Sequence, residues 1–249
     1  MNEELDVSKV ECPKDFQPDP PNPPSLRFVQ PKHEVVYTSD GFRVSEEGFM
    51  NFVKEKKTSP AIALGALMAK QILNAVPESE SPVVFALATN LREHVGLEKT
   101  LTNCIDAVSI SLSRQDLQQE NYMETLRAIL KRRNSSDYVR YNLCNSGTLS
   151  LEEQIALSPT FVISYTGKVG GAKLDFVEKN NIYRMTSMIP ILDMKAQDGW
   201  FNVNVTQDNL SNPLTDMLKN AFREIGLEIF EETKTVVMPE NGRVAIEQR

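Results

Sequence analysis

Residues 59–90 read SPAIALGALMAKQILNAVPESESPVVFALATN, and they contain the two elements on which the fold prediction depends. Ser59 has a side chain that caps the free amides of a helix, and Pro60 suits the first helical position. Residues 61–76 are mostly small and apolar, so they predict a largely buried helix. Residues 82–90 form a continuous apolar run between turn and polar residues, which is typical of a buried strand.

Hydrophobic periodicity predicts further helices and strands on both sides of this stretch. A short strand at 35–37 and a helix that begins at 45–48 precede it. The predicted elements after it are a strand at 105–112, a helix at 115–133, strand-like runs at 161–165, 173–176, 182–189 and 200–206, and a helix that follows Pro213 and stops at Gly226. This order predicts an α/β fold, a two-layer sandwich in which helices pack on one face of a mixed β-sheet.

The connections add two expectations. The Asp198-Gly199 pair marks a turn between the last two predicted strands, with a connection longer than a minimal hairpin. Beyond residue 235 the chain is expected to be a strand-like tail or frayed.

The first residues of the chain have a different composition from the rest. Seven prolines lie between residues 12 and 31, and proline removes backbone donors and fixes φ. We therefore predict a proline-rich strap or linker at 1–31, followed by one globular domain at 32–249. Because linkers join domains, we expect a further segment to precede the strap.

Composition and charge exclude several classes of protein. The 249 residues are 41% hydrophobic and 24% charged, with a formal net charge of -7. An acidic chain lacks the positive surface that binds nucleic acid or an anionic membrane, so neither is expected as a partner. The acidic start is unlike a signal peptide, and no apolar run is long enough to cross a bilayer. We therefore expect the protein to be cytoplasmic.

The residue types that commonly perform catalysis or bind metals are scarce. The only two histidines, His33 and His94, lie outside any H-x-x-x-D pattern, and a surface or structural role is favoured for both. Cys12, Cys104 and Cys144 are widely spaced, which argues against a disulfide framework and a zinc site. Cys144 is interpreted as a small buried apolar residue. No catalytic residue and no metal site are predicted.

Four stretches together resemble one known superfamily. These stretches are RVSEEGFMNFVKEKKTSPA at 43–61, VVFALATNLR at 83–92, FVISYTG at 161–167 and GWFNVNVTQ at 199–207. In this order, and over about residues 34–230, they resemble the C-terminal lobe of chloramphenicol-acetyltransferase-like proteins, of the alcohol acetyltransferase and condensation-domain type.

The resemblance implies a function that depends on a second lobe. In that superfamily two similar lobes face each other across a tunnel, and an H-H-x-x-x-D-G motif on the N-terminal lobe supplies the general base. The sequence of this chain does not contain that motif. The resemblance thus implies a C-terminal lobe that contributes a tunnel wall and is not catalytic alone, with the N-terminal lobe as its missing partner.

The resemblance also implies where a co-substrate would bind. Its tunnel-facing positions fall at Asn90, Arg92, Ser164, Tyr165 and Gly167, although Asn90 and Arg92 are equally well explained as residues that fix a strand end. No tightly bound cofactor is implied; an acyl-CoA or an acyl-carrier thioester would be the co-substrate. The alternative is a non-catalytic binding or dimerisation module, with self-association as a homodimer. An enzyme with different chemistry is disfavoured by the scarcity of histidine.

Overall fold

The computed structural model describes residues 11–19, 22–26, 37–90, 105–145, 159–166, 189–208, 214–237 and 244–248. Within these ranges the chain forms eight strands and six helices. In chain order they are β1 (Tyr37–Ser45), α1 (Glu46–Glu55), α2 (Pro60–Ala75), β2 (Val83–Asn90), β3 (Ile105–Leu112), α3 (Arg114–Leu117), α4 (Tyr122–Arg133), α5 (Ser136–Asn145), β4 (Phe161–Thr166), β5 (Ile191–Gln197), β6 (Trp200–Asp208), α6 (Leu214–Glu224), β7 (Phe230–Val237) and β8 (Val244–Gln248).

The strands form a single mixed sheet. Its order is β3-β2-β4-β5-β6-β1-β7-β8. The pairs β2–β4 and β4–β5 are parallel, and the other neighbouring strands are antiparallel. Because parallel strands end at the same edge, the carboxyl ends of β2, β4 and β5 lie side by side.

The two serines at helix starts act as caps. The Ser59 hydroxyl accepts a hydrogen bond from the amide of Ile62 at 3.4 Å, and Pro60 is the first residue of α2. Ser45 accepts one from the amide of Gly48 at 3.1 Å and begins α1. These bonds satisfy amides that have no partner within the helix. Both helix starts were therefore readable from the sequence.

The hydrophobic core lies between the sheet and one layer of helices. The helices α1, α2, α4 and α6 all contribute to it. The largest fully buried side chains are those of Phe42, Phe49, Phe85, Phe161, Phe201, Phe222, Ile62, Leu64, Met68, Leu73, Ile110 and Leu112. Since successive side chains of a strand point to opposite faces, the residues between the core positions lie on the other side of the sheet. That side, opposite these helices, is called the second face below.

The predicted two-layer α/β fold with a mixed sheet and helices on one face is thus confirmed. The chain between α2 and β2 turns back so that α2 covers β2 and β4. The fit is close at Gly65, where an added Cβ would lie 2.5 Å from a ring carbon of Phe85 and 2.8 Å from Cδ1 of Ile163. A glycine here allows the helix backbone to approach the sheet.

Some element boundaries differ from the sequence-based expectation. The helix expected at 115–133 is two helices, α3 and α4, with a turn between them, and α5 was not expected. The strand that precedes β6 is β5, at 191–197, which was not among the expected strands. The predicted run at 173–176, residues 182–188 and residues 35–36 lie outside the described residues. Where a strand-like or frayed tail was expected beyond residue 235, the described residues are the end of β7 and the strand β8.

The turn between β5 and β6 is a minimal two-residue hairpin, which corrects the longer connection expected. Gln197 pairs directly with Trp200. Asp198 and Gly199 have φ values of 51° and 82°. Two central residues with positive φ match the right-handed twist of the flanking strands, and Asp-Gly is favoured there.

The part of the strap that the structure describes packs on the same chain. The amide of Leu26 donates to the carbonyl of Pro82 at 2.9 Å, and its carbonyl accepts from the Thr160 hydroxyl at 2.8 Å. The division at residue 31 itself remains a prediction. Among the described helices, none combines the length and the apolar character that a bilayer span requires.

Candidate functional site

The predicted site residues that the structure describes lie at one edge of the sheet. Asn90 is the last residue of β2, and Ser164 and Tyr165 lie near the end of β4. In the parallel pairing Leu87 is opposite Ile163, so Ser164 is level with Ala88, two residues before Asn90. The fold therefore brings these two strand ends together. Arg92, Gly167, His33 and His94 lie outside the described residues.

Ser164 is on the second face, where it meets an acidic residue of β5. Ser164 pairs in register with Asp193, and the Ser164 hydroxyl donates a hydrogen bond to the Asp193 carboxylate. Burial raises the pKa of Asp193, although the bond from Ser164 and the charge of Lys195 act in the opposite direction. Burial disfavours the charged form of a carboxyl group because it removes water from around the charge.

Further polar side chains continue this surface across the sheet. Asp193 pairs in register with Asn204 of β6, and Lys195 pairs with Asn202. The Arg43 Nε of β1 donates to the Asn202 Oδ1 at 2.8 Å. The second face thus has a polar patch at its centre, formed by Ser164, Asp193, Lys195, Asn202, Asn204 and Arg43.

Tyr165 points to the other side of the sheet. Its ring lies 6.4 Å, centroid to centroid, from Phe201 and packs against the core. Burial raises the pKa of Tyr165, and the nearby carboxylate of Glu46 adds to this effect. Ser164 and Tyr165 therefore do not share a surface. A common cofactor-binding role for the five predicted residues remains a prediction.

The polar patch provides hydrogen-bond donors and acceptors rather than a catalytic triad. A serine nucleophile needs a base to remove its proton, and the usual base is histidine. Here Ser164 contacts a carboxyl group directly, and both histidines of the sequence lie in undescribed segments. In the described ranges no group of three or more histidine, cysteine, aspartate or glutamate residues is arranged to bind a metal ion. The chemistry that this surface supports is the binding and orientation of a polar ligand.

Of the residues in this patch, only Ser164 was predicted from the sequence, and Asp193, its direct partner, was not. It is a single acidic residue within the otherwise apolar run MIPILDM at 188–194. A lone carboxylate inside an alternating strand is a signal for a polar contact on the face away from the core. No strand was expected at 191–197, so this alternation was not recognised.

Comparisons with known proteins identify the fold. No family model and no curated protein sequence matches the chain. Among solved structures, TRI101 of F. sporotrichioides complexed with coenzyme A and T-2 is similar, with a TM-score of 0.56 and 13% identity over 90% of this chain and 56% of that one. The chain has the fold of one chloramphenicol-acetyltransferase-like lobe.

Two other solved structures are similar to this chain over a comparable length. The epimerization domain from the third module of tyrocidine synthetase B has a TM-score of 0.55 at 11% identity, over 82% of this chain and 51% of that one. A condensation domain of the enacyloxin polyketide synthase has a TM-score of 0.50 at 12% identity, over 81% and 44%. The chain thus spans about half the length of each of these three structures.

Proposed function

We propose that this chain is the C-terminal lobe of a two-lobed acyltransferase of the alcohol acetyltransferase and condensation type. The observation that supports this most is the fold likeness over about half of each matched structure. A second lobe then supplies the other tunnel wall and the general base of an H-H-x-x-x-D-G motif.

The polar patch is the part of the lobe proposed to line the tunnel. Its hydroxyl, carboxyl and amide groups suit the polar amide chain of a pantetheine arm, which coenzyme A and acyl-carrier proteins share. Ligand sites commonly combine apolar walls with a few placed polar groups. A structure with this fold, TRI101, was solved in complex with coenzyme A. The proposed co-substrate is therefore an acyl-CoA or an acyl-carrier thioester.

Binding to the patch is testable on the chain itself. Ligand-observed NMR with pantetheine and coenzyme A is expected to show saturation transfer to the wild-type chain. The transfer is expected to fall strongly in Ser164→Ala and Asp193→Ala. Ser111→Ala is the matched control, because Ser111 is on the second face of β3, three strands from Asp193. No transfer to the folded wild-type chain, or equal loss in all three variants, would contradict the proposal.

Catalysis by the chain alone is not expected. The missing general base contributes roughly 10²–10⁴-fold to the rate of a proton-transfer step. Incubation with acetyl-CoA and a panel of alcohols and amines, followed by detection of released thiol, should show no turnover above the background. Turnover that disappears in His94→Ala would show that the chain contains its own base.

A second candidate function is a binding or dimerisation module, and one observation favours it. Phe230 is a large exposed hydrophobic residue, with 38% of its surface accessible, and it pairs with Arg43 on the second face. Its ring lies 4.8 Å, centroid to centroid, from that of Trp200. An aromatic pair beside a polar patch is typical of contact surfaces between proteins. The oligomeric state of the isolated chain tests this second candidate function.

A further inference from the structure

The described part of the strap follows α4 and α5 in the antiparallel direction. The ring of Phe16 lies 5.7 Å from that of Tyr138 and 5.5 Å from that of Tyr141. The carboxylate of Asp19 contacts Arg132 at 2.7 Å and Arg133 at 3.1 Å. Residues further along the strap therefore contact residues that come earlier in α4 and α5. The strap is therefore held in one register along these helices.

This register brings two cysteines together. Tyr138, Tyr141 and Cys144 are spaced by three residues and so lie along one stripe of α5. Cys12 lies four residues before Phe16 in the strap, which places it next to the end of that stripe. The Cys12 thiol forms a hydrogen bond with the Cys144 thiol. Cys12 is exposed, and Cys144 is half-buried rather than buried as the sequence suggested. The thiol contact thus continues the four contacts of Phe16 and Asp19 with the two helices.

We propose that Cys12 and Cys144 form a reversible disulfide that fastens the strap to α5. The proposal does not depend on acyl transfer. The cysteines are 132 positions apart in the sequence, so their proximity arises from the tertiary fold. A thiol pair in contact, with one member accessible to solvent, is the arrangement from which exchange with a small disulfide proceeds.

The oxidant is a low-molecular-weight disulfide such as glutathione disulfide. The accessible Cys12 thiolate attacks one sulfur of glutathione disulfide, which releases one glutathione and leaves a mixed disulfide. The Cys144 thiolate then attacks the Cys12 sulfur and releases the second glutathione. The two thiol protons end on the two glutathione molecules. The cysteine pair loses two electrons, and glutathione disulfide gains them.

The disulfide would fix the strap against the domain. It closes a loop that contains α1 to α4 and three strands, and long loops lose the most unfolded-state entropy on cross-linking. We therefore expect a higher unfolding temperature and slower proteolysis of the strap in the oxidised protein. Reduction with dithiothreitol should reverse both effects.

The test uses the whole chain equilibrated in glutathione buffers of increasing oxidised fraction. After free thiols are blocked, peptide mass spectrometry should find a Cys12–Cys144 cross-link that has lost two hydrogen atoms. The midpoint of thermal unfolding is expected to rise by about 5 °C or more. Cys12→Ser and Cys144→Ser should both abolish the cross-link and the shift, whereas Cys104→Ser should retain them.

A second variant tests the geometry rather than the thiols. Phe16→Ala removes the ring that packs on Tyr138 and Tyr141 and keeps all three cysteines. If the strap register brings the thiols together, this variant should form the disulfide several-fold more slowly. Glutathione adducts on Cys12 and Cys144 without a cross-link between them would overturn the proposal. A cross-link from Cys104 in place of this one would overturn it as well.

Discussion

At the scale of single residues, Asp193 has the most unusual environment in the polar patch. Its carboxyl group is half-buried on the second face, where it accepts a hydrogen bond from Ser164 and lies near Lys195. Removal of water outweighs both stabilising contacts, so its pKa is raised. When the Asp193 carboxyl group is protonated, it can both donate and accept hydrogen bonds on this surface.

The raised pKa of Asp193 predicts how the stability of the protein depends on pH. The pKa of Asp193 in the folded protein lies above its unfolded value of 3.8. The contribution of Asp193 to the free energy of unfolding is therefore fully present below pH 3.8, and it is lost as the pH rises through the folded pKa. Asp193→Asn removes this loss. It should therefore be at least as stable as the wild type at neutral pH, and its advantage should disappear toward pH 3.8. Denaturant unfolding at a series of pH values measures the difference.

Glu224 provides a control of opposite sign for this measurement. Hydrogen bonds from Gln71 and Lys70 lower the pKa of Glu224 below 4.5. The contribution of Glu224 to the free energy of unfolding is therefore present above pH 4.5, and it is lost as the pH falls through the folded pKa. Glu224→Gln should be less stable than the wild type at neutral pH and equal to it in acid. The same pH trend in both variants would contradict the assigned environments.

At the scale of elements, the close contact between α2 and the sheet determines the shape of the core. Ala61 and Ala69 lie four residues before and after Gly65, so this stripe of the helix has little side-chain bulk. The rings of Phe85 and Phe161, stacked at 5.8 Å, fill the space that this leaves. Interiors packed at this density resist added volume.

Gly65→Ala is therefore expected to destabilise the protein although alanine favours helices. The gain in helix propensity is about 1 kcal/mol, whereas overpacking a core costs about 1–3 kcal/mol. The added carbon would meet Phe85 and Ile163, which are both fully buried. We expect a net loss of up to roughly 2 kcal/mol in the free energy of unfolding, measured with urea.

Gly48→Ala is the matched control for this substitution. Its added carbon would lie 2.6 Å from Cδ2 of Leu227, the far end of a half-buried side chain that has room to move. The control should stay within about 0.5 kcal/mol of the wild type. Equal losses at Gly48 and Gly65 would show that the sheet contact is not the cause.

At the scale of the whole molecule, the second face is the surface through which we expect the chain to assemble. It combines the polar patch with the contact between Trp200 and the exposed Phe230. In a two-lobed protein such a face is covered by the other lobe. In the isolated chain a second copy is the available partner, and two-fold symmetry is the commonest arrangement for a self-complementary surface.

We therefore predict that the isolated chain forms a homodimer through the second face. Phe230→Ser should weaken the dimer by about tenfold, because buried aromatic side chains dominate contact energies. Val76→Ser is the control, since Val76 is equally exposed, at 38%, but lies at the end of α2 in the helix layer. Sedimentation equilibrium at micromolar concentrations measures the change. A monomer of 28.0 kDa without concentration dependence would refute the prediction.

The sequence by itself determined the elements whose signals are local. Ser45 and Ser59 indicated the two helix starts, and the apolar runs 83–90 and 105–112 indicated buried strands, because capping and hydrophobic patterns act between near neighbours. The order of these elements also gave the two-layer fold. The turn within 114–133 and the strand β5 were not expected, because periodicity alone does not locate a boundary inside a continuous pattern.

Only the tertiary structure decided which distant residues meet. Ser164 was a candidate from the sequence, but its partner Asp193 follows from the parallel register of β4 and β5. The same holds for Cys12 and Cys144, whose contact depends on how the strap lies along α5. Strand register and strap path are set by the packing of the whole core, which no short stretch of sequence encodes.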